Sequence, residues 1–502
     1  MICVSIARGR HRHVLAEHRH LVQQGAKLVE LRLDYIGGEI NLKRLITDRP
    51  SAVVITCRRE RDGGKFSGTE ETRLMLLRQA IAEGVEYVDL EDDIAGSIPR
   101  FGKTKRIVSL HDFRKTPDNL DALHKQLAAH DADIVKLATM ANQPHDNVRM
   151  LKLIRNSKLP TVGMCMGDIG TPSRLLAGRF GAPFTYATFH HERTLAPGQL
   201  SFTQMAENYH YDQIEANTAV YGVIGDPIGH SLSPIVHNAA LRQLHIDGVY
   251  IPFRVPREHL QQFIEDAPAM GVRGLSVTIP HKELVLKHLA KTDETTRGVG
   301  AANTLVFGPD GIAGYNTDHQ AAMDSLEQAL TDAAGSPPVT PGREMDFSGR
   351  SALVLGAGGA AKAIAYGLKR RGADVVIAGR TAQRAQQLAG RLQCRVVDWS
   401  ARYSIDPDLL INCTPVGMHP NVDATPFEKH HLKPSMVVFD TVYNPENTLL
   451  IKDARSQSCT VINGVEMFIR QASLQFALFT GVEAPSDRMR EVLKREIGPA
   501  KY

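Results

Sequence analysis

The sequence predicts an α/β chain: an N-terminal (β/α)8 barrel, then a second α/β half containing its own parallel-sheet unit. Three observations predict it. Eight short β-type runs recur at a spacing of roughly 25 residues through the first half, with helical patterns in most gaps. The pattern restarts near residue 218 with Tyr221-Gly222-Val223-Ile224-Gly225, a strand entering a glycine turn. Farther on, the apolar run Ser351–Gly356 leads into Gly358-Gly359-Ala360-Ala361 and a helical pattern.

In order, the eight runs are Ile2–Ile6, Leu28–Leu33, Val53–Arg58, Tyr87–Leu90, Arg106–His111, Ile134–Leu137, Thr161–Met166 and Phe184–Phe189. Helices are expected between them, for example over 70–84 and 120–130. Asn208–Thr218 reads as a polar, helix-like connector. A mixed α/β region runs to about Asp318, and Thr331–Ser348, rich in Pro, Gly, Ser and Thr, reads as a linker. Asp374–Ala378 is a further strand, and Val465–Phe479 has the apolar period of a helix.

Composition narrows the function classes. A net charge of +4 over 502 residues, with no long basic run, makes nucleic acid a poor partner and leaves small anions open. No apolar stretch approaches the ~18–20 residues of a membrane span, and the N-terminus reads as a strand rather than a signal peptide. The six cysteines are far apart, as expected of reduced thiols in a cytoplasmic protein, and none has metal-site spacing. The cluster His11, His13, His18 and His20 reads as a solvated helix face, and His190-His191 as a rim feature. No metal is expected.

In such a barrel the chemistry sits at the C-terminal ends of the strands, and polar residues collect there. Glu30, Arg32 and Asp34 alternate and so share a face; Arg58 and His111 close their runs, and Arg174 follows the seventh. Lys136 lies between Val135 and Leu137. An inward lysine near Arg32, Arg58 and Arg174 would be desolvated and repelled by like charge, which favours the neutral amine needed for a Schiff base. The arginines would clamp a carboxylate, and His111 would move protons. Imine chemistry on an anionic ketone follows: the cationic imine acidifies the neighbouring C–H, and a β-hydroxyl leaves.

The motifs Glu30-Leu31-Arg32-Leu33-Asp34, Thr56-Cys57-Arg58, Ser109-Leu110-His111-Asp112-Phe113, Asp133-Ile134-Val135-Lys136, Ser173-Arg174 and Ala196-Pro197-Gly198-Gln199 resemble type I 3-dehydroquinate dehydratase. The resemblance implies that Lys136 forms the imine with the C3 ketone. It implies that His111 takes the C2 proton and protonates the C1 hydroxyl. Glu30, Arg32, Arg58, Arg174 and Gln199 would hold the substrate. Two positions depart from the family pattern: Asp62 replaces the Glu that orients the histidine, and Leu195 replaces a serine whose hydroxyl contact Thr194 would supply.

In the second half, Gly356-Ala357-Gly358-Gly359-Ala360-Ala361 has the spacing and context of a dinucleotide turn in a Rossmann unit. After the next strand comes Arg380-Thr381, where an NAD site would place an acid. Arg380 suits a 2′-phosphate, so NADP is the expected cofactor. Upstream lie Ser231 and Ser233, Thr278 with Lys282, Asn303, and Asp318, a hydrogen-bonding set for a polyhydroxylated acid. Lys282 and Asp318 make a proton-transfer pair for ketone/alcohol redox chemistry.

These motifs, with Asn412-Cys413-Thr414-Pro415-Val416-Gly417-Met418, Asp440-Thr441-Val442-Tyr443 and Gly464 through Met467 to Gln471, resemble shikimate dehydrogenase. The resemblance implies that Lys282 and Asp318 are catalytic and that Ser231, Ser233, Thr278, Asn303, Tyr443 and Gln471 contact substrate. Gly356, Ala357, Gly358, Gly359, Ala360, Arg380, Thr381, Thr414 and Gly464 would hold the dinucleotide. Ser276 stands where many relatives carry Asn.

The expected domains are the barrel over 1–212, a discontinuous shikimate-binding domain over 219–325 and 464–495, and a Rossmann NADP domain over 345–463. The two resemblances together imply dehydration of 3-dehydroquinate to 3-dehydroshikimate, then NADPH-dependent reduction to shikimate. The alternatives are a quinate/shikimate dehydrogenase preferring NAD in the second half, and a non-catalytic sensor on the same folds.

Overall fold

All eight barrel runs form strands in the computed structural model, which describes residues 1–335 and 344–498. They are β1 (Ile2–Ile6), β2 (Leu28–Arg32), β3 (Ala52–Thr56), β4 (Tyr87–Glu91), β5 (Lys105–Asp112), β6 (Ile134–Met140), β7 (Thr161–Met166) and β8 (Thr185–Thr188). The ladder runs β7-β6-β5-β4-β3-β2-β1-β8, and β1 pairs in parallel with both β2 and β8. Its interior is filled by Leu28, Val54, Ile107, Ile134, Ala138, Val162, Met164 and Phe184. Ile134 and Ala138 point inward, so the two-residue period of a strand turns Lys136, between them, inward as well.

The chain divides into two compact units, and the division does not fall at residue 218. The first unit holds Met1–Gly222 together with Asp226–Gly229 and Asp247–Val272. In it, β10 (Gly248–Arg254) packs on the barrel helix Thr171–Leu176, and the helix Leu260–Asp266 on the barrel helix His145–Asn156. His145 Nδ1 and Asp266 Oδ2 lie 2.7 Å apart, and Arg179 Nε donates to the Thr218 carbonyl at 3.1 Å. The expected helical connector, Asn208–Thr218, is not one helix: a π-helical turn, Gln204–Asn208, ends where the connector begins, and a 3-10 turn, Tyr211–Gln213, follows. His210 between them has φ +48°, a left-handed conformation that ends a right-handed helix.

The second unit holds Val223–Gly225, the end of β9 (Ala219–Gly225), with His230–Ile246 and the described residues from Arg273 to Gly498. Its first sheet region contains β11 (Val272–Val277), β12 (Lys291–Thr292), β13 (Thr304–Gly308) and β14 (Gly311–Tyr315), in the order β11-β13-β14-β12. A parallel sheet follows: β15 (Ser351–Leu355), β16 (Asp374–Gly379), β17 (Arg395–Asp398), β18 (Leu409–Asn412), β19 (Val437–Asp440) and β20 (Thr460–Ile462). Its order β17-β16-β15-β18-β19-β20 is the doubly wound arrangement, with a switch point between β15 and β18. The helix Gly464–Thr480 returns to pack on Thr317–Ala334, and Ser486–Ile497 on Ser233–Gln243, so the last helices close on earlier elements.

Two further expectations change. The linker read over Thr331–Ser348 begins inside the helix Thr317–Ala334; residues 336–343 lie outside the described ones, and Phe347 is buried in the core. His18 is not solvated: it is fully buried, its Nε2 2.8 Å from Ser51 Oγ, and burial pushes its imidazole down to about 4. No helix among the described residues is long and apolar enough to cross a membrane.

Candidate active sites

One cavity at the C-terminal end of the barrel gathers Lys136, His111, Glu30, Arg32, Arg58, Arg174 and Gln199, the barrel residues expected to be catalytic or to hold substrate; Asp34, expected on the same face, does not line it. Lys136 is 5% exposed. Its surroundings are not the cationic ones expected. The nearest charges are carboxylates: Asp89 Oδ2 accepts from Nζ at 2.8 Å and Glu30 Oε1 lies at 3.8 Å, while the Tyr186 ring packs 4.0 Å from Nζ.

Asp89 is the residue sequence reasoning missed. It accepts from Ser109 Oγ at 2.6 Å and forms an ion pair with Arg58 Nη2 at 2.9 Å, besides Lys136. Burial works to raise its carboxyl, but Arg58, Lys136 and His111 outweigh burial and hold it well below the usual carboxylate range. The signal was available: Asp89 and Glu91, two apart in the otherwise apolar β4, must share a face.

Glu30 is fixed by Ser5 Oγ at 2.5 Å and Thr56 Oγ1 at 2.8 Å. Arg32 grips Asp34 through Nε and Nη2 at 2.9 and 2.7 Å; Asp34 lies past the strand on a 3-10 turn. His111 Nδ1 accepts from Arg58 Nη1 at 3.2 Å, which leaves the ring proton on Nε2. Burial, then Arg58 and Lys136, hold this imidazole well below the usual histidine range. Asp62 lines the cavity but gives its carboxylate to Arg59 at 2.7 Å, so the role expected of it toward His111 falls to Arg58.

Arg174 differs from the other arginines. It is fully buried on the helix Thr171–Leu176, and among the described residues its partners are Met164 Sδ at 3.4 Å and the Pro197 carbonyl at 3.5 Å, with none for its Nε. Burial without a carboxylate pushes the guanidinium down to about 10. Such a cation is set for an anion. Gln199 Oε1 accepts from the Leu195 and Ala196 amides at 2.8 and 3.1 Å, which leaves its NH2 as the free donor.

In the second unit, Lys282 Nζ donates to Asp318 Oδ2 at 2.5 Å. Lys282 follows β11 in a turn held by its carbonyl, which accepts from Ala302 N–H at 2.8 Å; Asp318 opens the helix Thr317–Ala334, capped by Asn316. Asn303 is 2% exposed and largely internal: Oδ1 accepts from the Thr317 amide and Thr304 Oγ1, and Nδ2 donates to Thr317 Oγ1. Ser276, the family departure, donates to Gln475 Oε1 at 2.7 Å, tying the helix Gly464–Thr480 to β11. Ser231 Oγ accepts from the Ser233 amide at 3.3 Å, and Thr278 N–H is held by the Ile224 carbonyl. The Tyr443 ring packs on Phe468 at 4.6 Å, with Gln471 Nε2 on the Phe468 carbonyl.

The glycine turn fits a dinucleotide. Gly356 leaves β15 with φ +114°, and a Cβ there would press on Cys413 and Thr414 across the switch point. Gly358 faces open space at the N-terminus of the helix Gly359–Arg370, followed by Ala360 and Ala361. A Cβ on Gly359 would lie 2.9 Å from Lys282 Cδ, so the turn abuts the Lys282–Asp318 pair. Arg380, just past β16, is exposed and has no hydrogen-bond or ion-pair partner among the described residues; exposed Thr381 caps the next helix by position only. A Cβ on Gly464 would lie 2.3 Å from the Val442 carbonyl oxygen, so backbone packing alone requires glycine there. Among the described residues, one group of possible metal ligands, Glu428, His430 and His431, belongs to neither constellation.

Comparison with known proteins assigns the two sites to two families, with the boundary between residues 216 and 223. Residues 2–216 match the family model for type I 3-dehydroquinase, 223–305 the shikimate dehydrogenase substrate binding domain, 342–415 shikimate/quinate 5-dehydrogenase, and 464–494 the shikimate 5′-dehydrogenase C-terminal domain. The chloroplastic bifunctional 3-dehydroquinate dehydratase/shikimate dehydrogenase of Arabidopsis thaliana is 36% identical over 99% of this chain and 84% of its own length. The NADP(+) shikimate dehydrogenase of Methanothermobacter thermautotrophicus is 40% identical over 56% of this chain and 98% of its own. A crystal structure of a shikimate dehydrogenase in complex with NADP+ superposes with a TM-score of 0.51, at 35% identity, covering 57% of this chain and 98% of that one.

Proposed function

Because the chain belongs to the family of bifunctional 3-dehydroquinate dehydratase/shikimate dehydrogenases, we propose that the barrel cavity and the Lys282–Asp318 site are the active centres of its two steps. The chain is an enzyme that dehydrates 3-dehydroquinate to 3-dehydroshikimate and reduces that product to shikimate with NADPH. The domains carrying the two steps are 1–212, then 219–325 with 464–495, and the Rossmann domain 345–463.

One observation carries the dehydratase assignment: a buried lysine and a buried, carboxylate-free Arg174 share one cavity. Arg174 takes the substrate carboxylate, and Arg32, Arg58, Glu30 and the Gln199 amide take the remaining polar groups. Lys136 adds to the C3 ketone and loses water to form the imine. Its positive charge draws electrons from the C2–H bond, and the C1 hydroxyl departs with a proton. With Nδ1 accepting from Arg58, the resting His111 ring is neutral and carries its proton on Nε2. To take the C2 proton the ring exchanges tautomers as Arg58 engages substrate; the imidazolium so formed protonates the departing C1 hydroxyl, which leaves as water, and hydrolysis of the product imine frees Lys136. Asp89 keeps Lys136 and Arg58 apart and aimed. Borohydride reduction with 3-dehydroquinate, followed by peptide mass spectrometry, tests the assignment; substrate mass anywhere but Lys136 refutes it.

In the reductase, Gly356, Ala357, Gly358, Gly359, Ala360, Thr414 and Gly464 form the bed for the dinucleotide, with Arg380 and Thr381 at the 2′-phosphate. The reduced dinucleotide supplies a hydride when bound. Lys282 gives a proton to the carbonyl oxygen as that oxygen becomes an alcohol, and Asp318 holds the amine in place. Ser231, Ser233, Thr278, Tyr443 and Gln471 orient the substrate, with Asn303 supporting Thr317 beside Asp318. Six free thiols favour a reducing compartment, and we place the enzyme in the cytoplasm, with its small-molecule substrates as partners and neither nucleic acid nor membrane among them.

A further inference from the structure

Two loops of the second unit leave the parallel sheet side by side. One, after β18, carries Thr414; the other, after β19, carries Tyr443. The strands pair in parallel with Asn412 opposite Asp440, and both side chains are completely buried. Asp440 Oδ1 accepts from Asn412 Nδ2 at 2.9 Å and from the Val442 amide at 3.0 Å; Oδ2 accepts from Thr448 Oγ1 at 2.7 Å. On the other side, Asn412 Oδ1 accepts from the Thr414 amide at 3.0 Å and from Thr414 Oγ1 at 2.7 Å.

These bonds form one chain of contacts, from Thr448 through Asp440 and Asn412 to Thr414, with a branch at Val442. Asp440 is a buried carboxylate whose hydrogen-bond donors are all neutral, and burial pushes it up to about 6. An acid this costly to bury is no neutral packing choice. No step of the chemistry uses it. The backbone repeats the link: the Asn412 carbonyl accepts from both the Thr441 amide and Thr441 Oγ1.

We propose that Asp440 is a positioning residue of the reductase. Acting through Asn412, it locks the Thr414 loop to the Val442–Tyr443 loop, so that the dinucleotide bed and the substrate wall form together. This rests on the reading above that Thr414 serves the dinucleotide and Tyr443 the substrate. Binding of either ligand then stiffens the site for the other.

The test uses the full chain, with NADPH and 3-dehydroshikimate as variable substrates and the temperature at which reductase activity is lost as the control for folding of the second unit. Asp440→Ala strands the Asn412 and Val442 donors. It is expected to raise the KM for both substrates by about tenfold, the order of a lost buried acceptor, with a smaller change in kcat. Asp440→Asn keeps one oxygen for Asn412 and Val442 and turns its NH2 toward the Thr448 hydroxyl, so both constants should return to within about threefold of the parent. If the pair acts as one unit, adding Asn412→Ala to Asp440→Ala costs little more than either change alone. If Asp440→Ala does not fold, Asn412→Ser breaks the link from the other end while Asp440 keeps two donors, and the same paired rise is expected. Unmoved constants, a rise in only one of them, or an Asn variant as impaired as the Ala variant would overturn the coupling. A parent chain unable to reduce 3-dehydroshikimate with NADPH would instead overturn the functional reading.

Discussion

At the scale of single residues, the dehydratase rests on how charges are paired. Lys136→Ala removes the imine-forming amine, so dehydration should fall to background while dehydroshikimate reduction persists; assaying both steps on one preparation checks this. Arg58 touches His111 and, with burial, keeps its imidazole down. Arg58→Met removes that positive charge and bares the neighbouring carboxylates, and both effects favour the imidazolium. The acid limb of kcat/KM for dehydration should therefore move to higher pH; a limb that stays put refutes Arg58 as the controlling charge. Lys136, His111 and the arginines were legible because charged residues inside apolar runs must be explained. Asp89 was not singled out, since its meaning depends on Arg58 and Lys136, which are 31 and 47 positions away in sequence. Arg174 and Arg32 look alike in sequence, yet one is paired with Asp34 and the other holds no carboxylate.

At the scale of elements, the strand-to-helix turns decide cofactor chemistry. Arg380, past β16, has no partner among the described residues and is the cation expected to meet a 2′-phosphate. Arg380→Glu should raise the KM for NADPH by at least about tenfold and leave that for NADH unchanged or lower; steady-state rates with both dinucleotides check it. Gly464→Ala forces a Cβ onto the Val442 and Thr441 carbonyls. The expected loss is roughly 1–3 kcal/mol of stability, with reductase activity falling before dehydratase activity on heating. The strands were read well from sequence because short, nearly continuous runs of apolar and β-branched residues, bounded by turns, leave little choice. The connector was not: its polar composition suits a helix, but His210 adopts a left-handed backbone that local pattern does not announce. His18 was misread for a related reason, because Ser51 and not its own helix supplies its partner.

At the scale of the whole molecule, chemistry and packing divide the chain differently. Segment Asp247–Val272 belongs to the reductase by sequence but forms one compact unit with the barrel. A chain ending at residue 218 should therefore expose barrel helices that Gly248–Arg254 and Leu260–Asp266 now cover. It should melt at lower temperature than the dehydratase in the full chain while keeping Lys136 chemistry; an unchanged melting temperature would refute this, as read by dehydratase activity after heating. The sequence by itself determined the barrel, the dinucleotide turn and nearly every charged group in the two sites, because each is written in local period, glycine geometry or a charge set in an apolar run. Only the tertiary structure decided which of those charges are paired, that Gly359 adjoins Lys282, that Asp440 joins two loops, and where one compact unit ends. Those properties depend on distances between residues far apart in the chain, which local pattern does not encode.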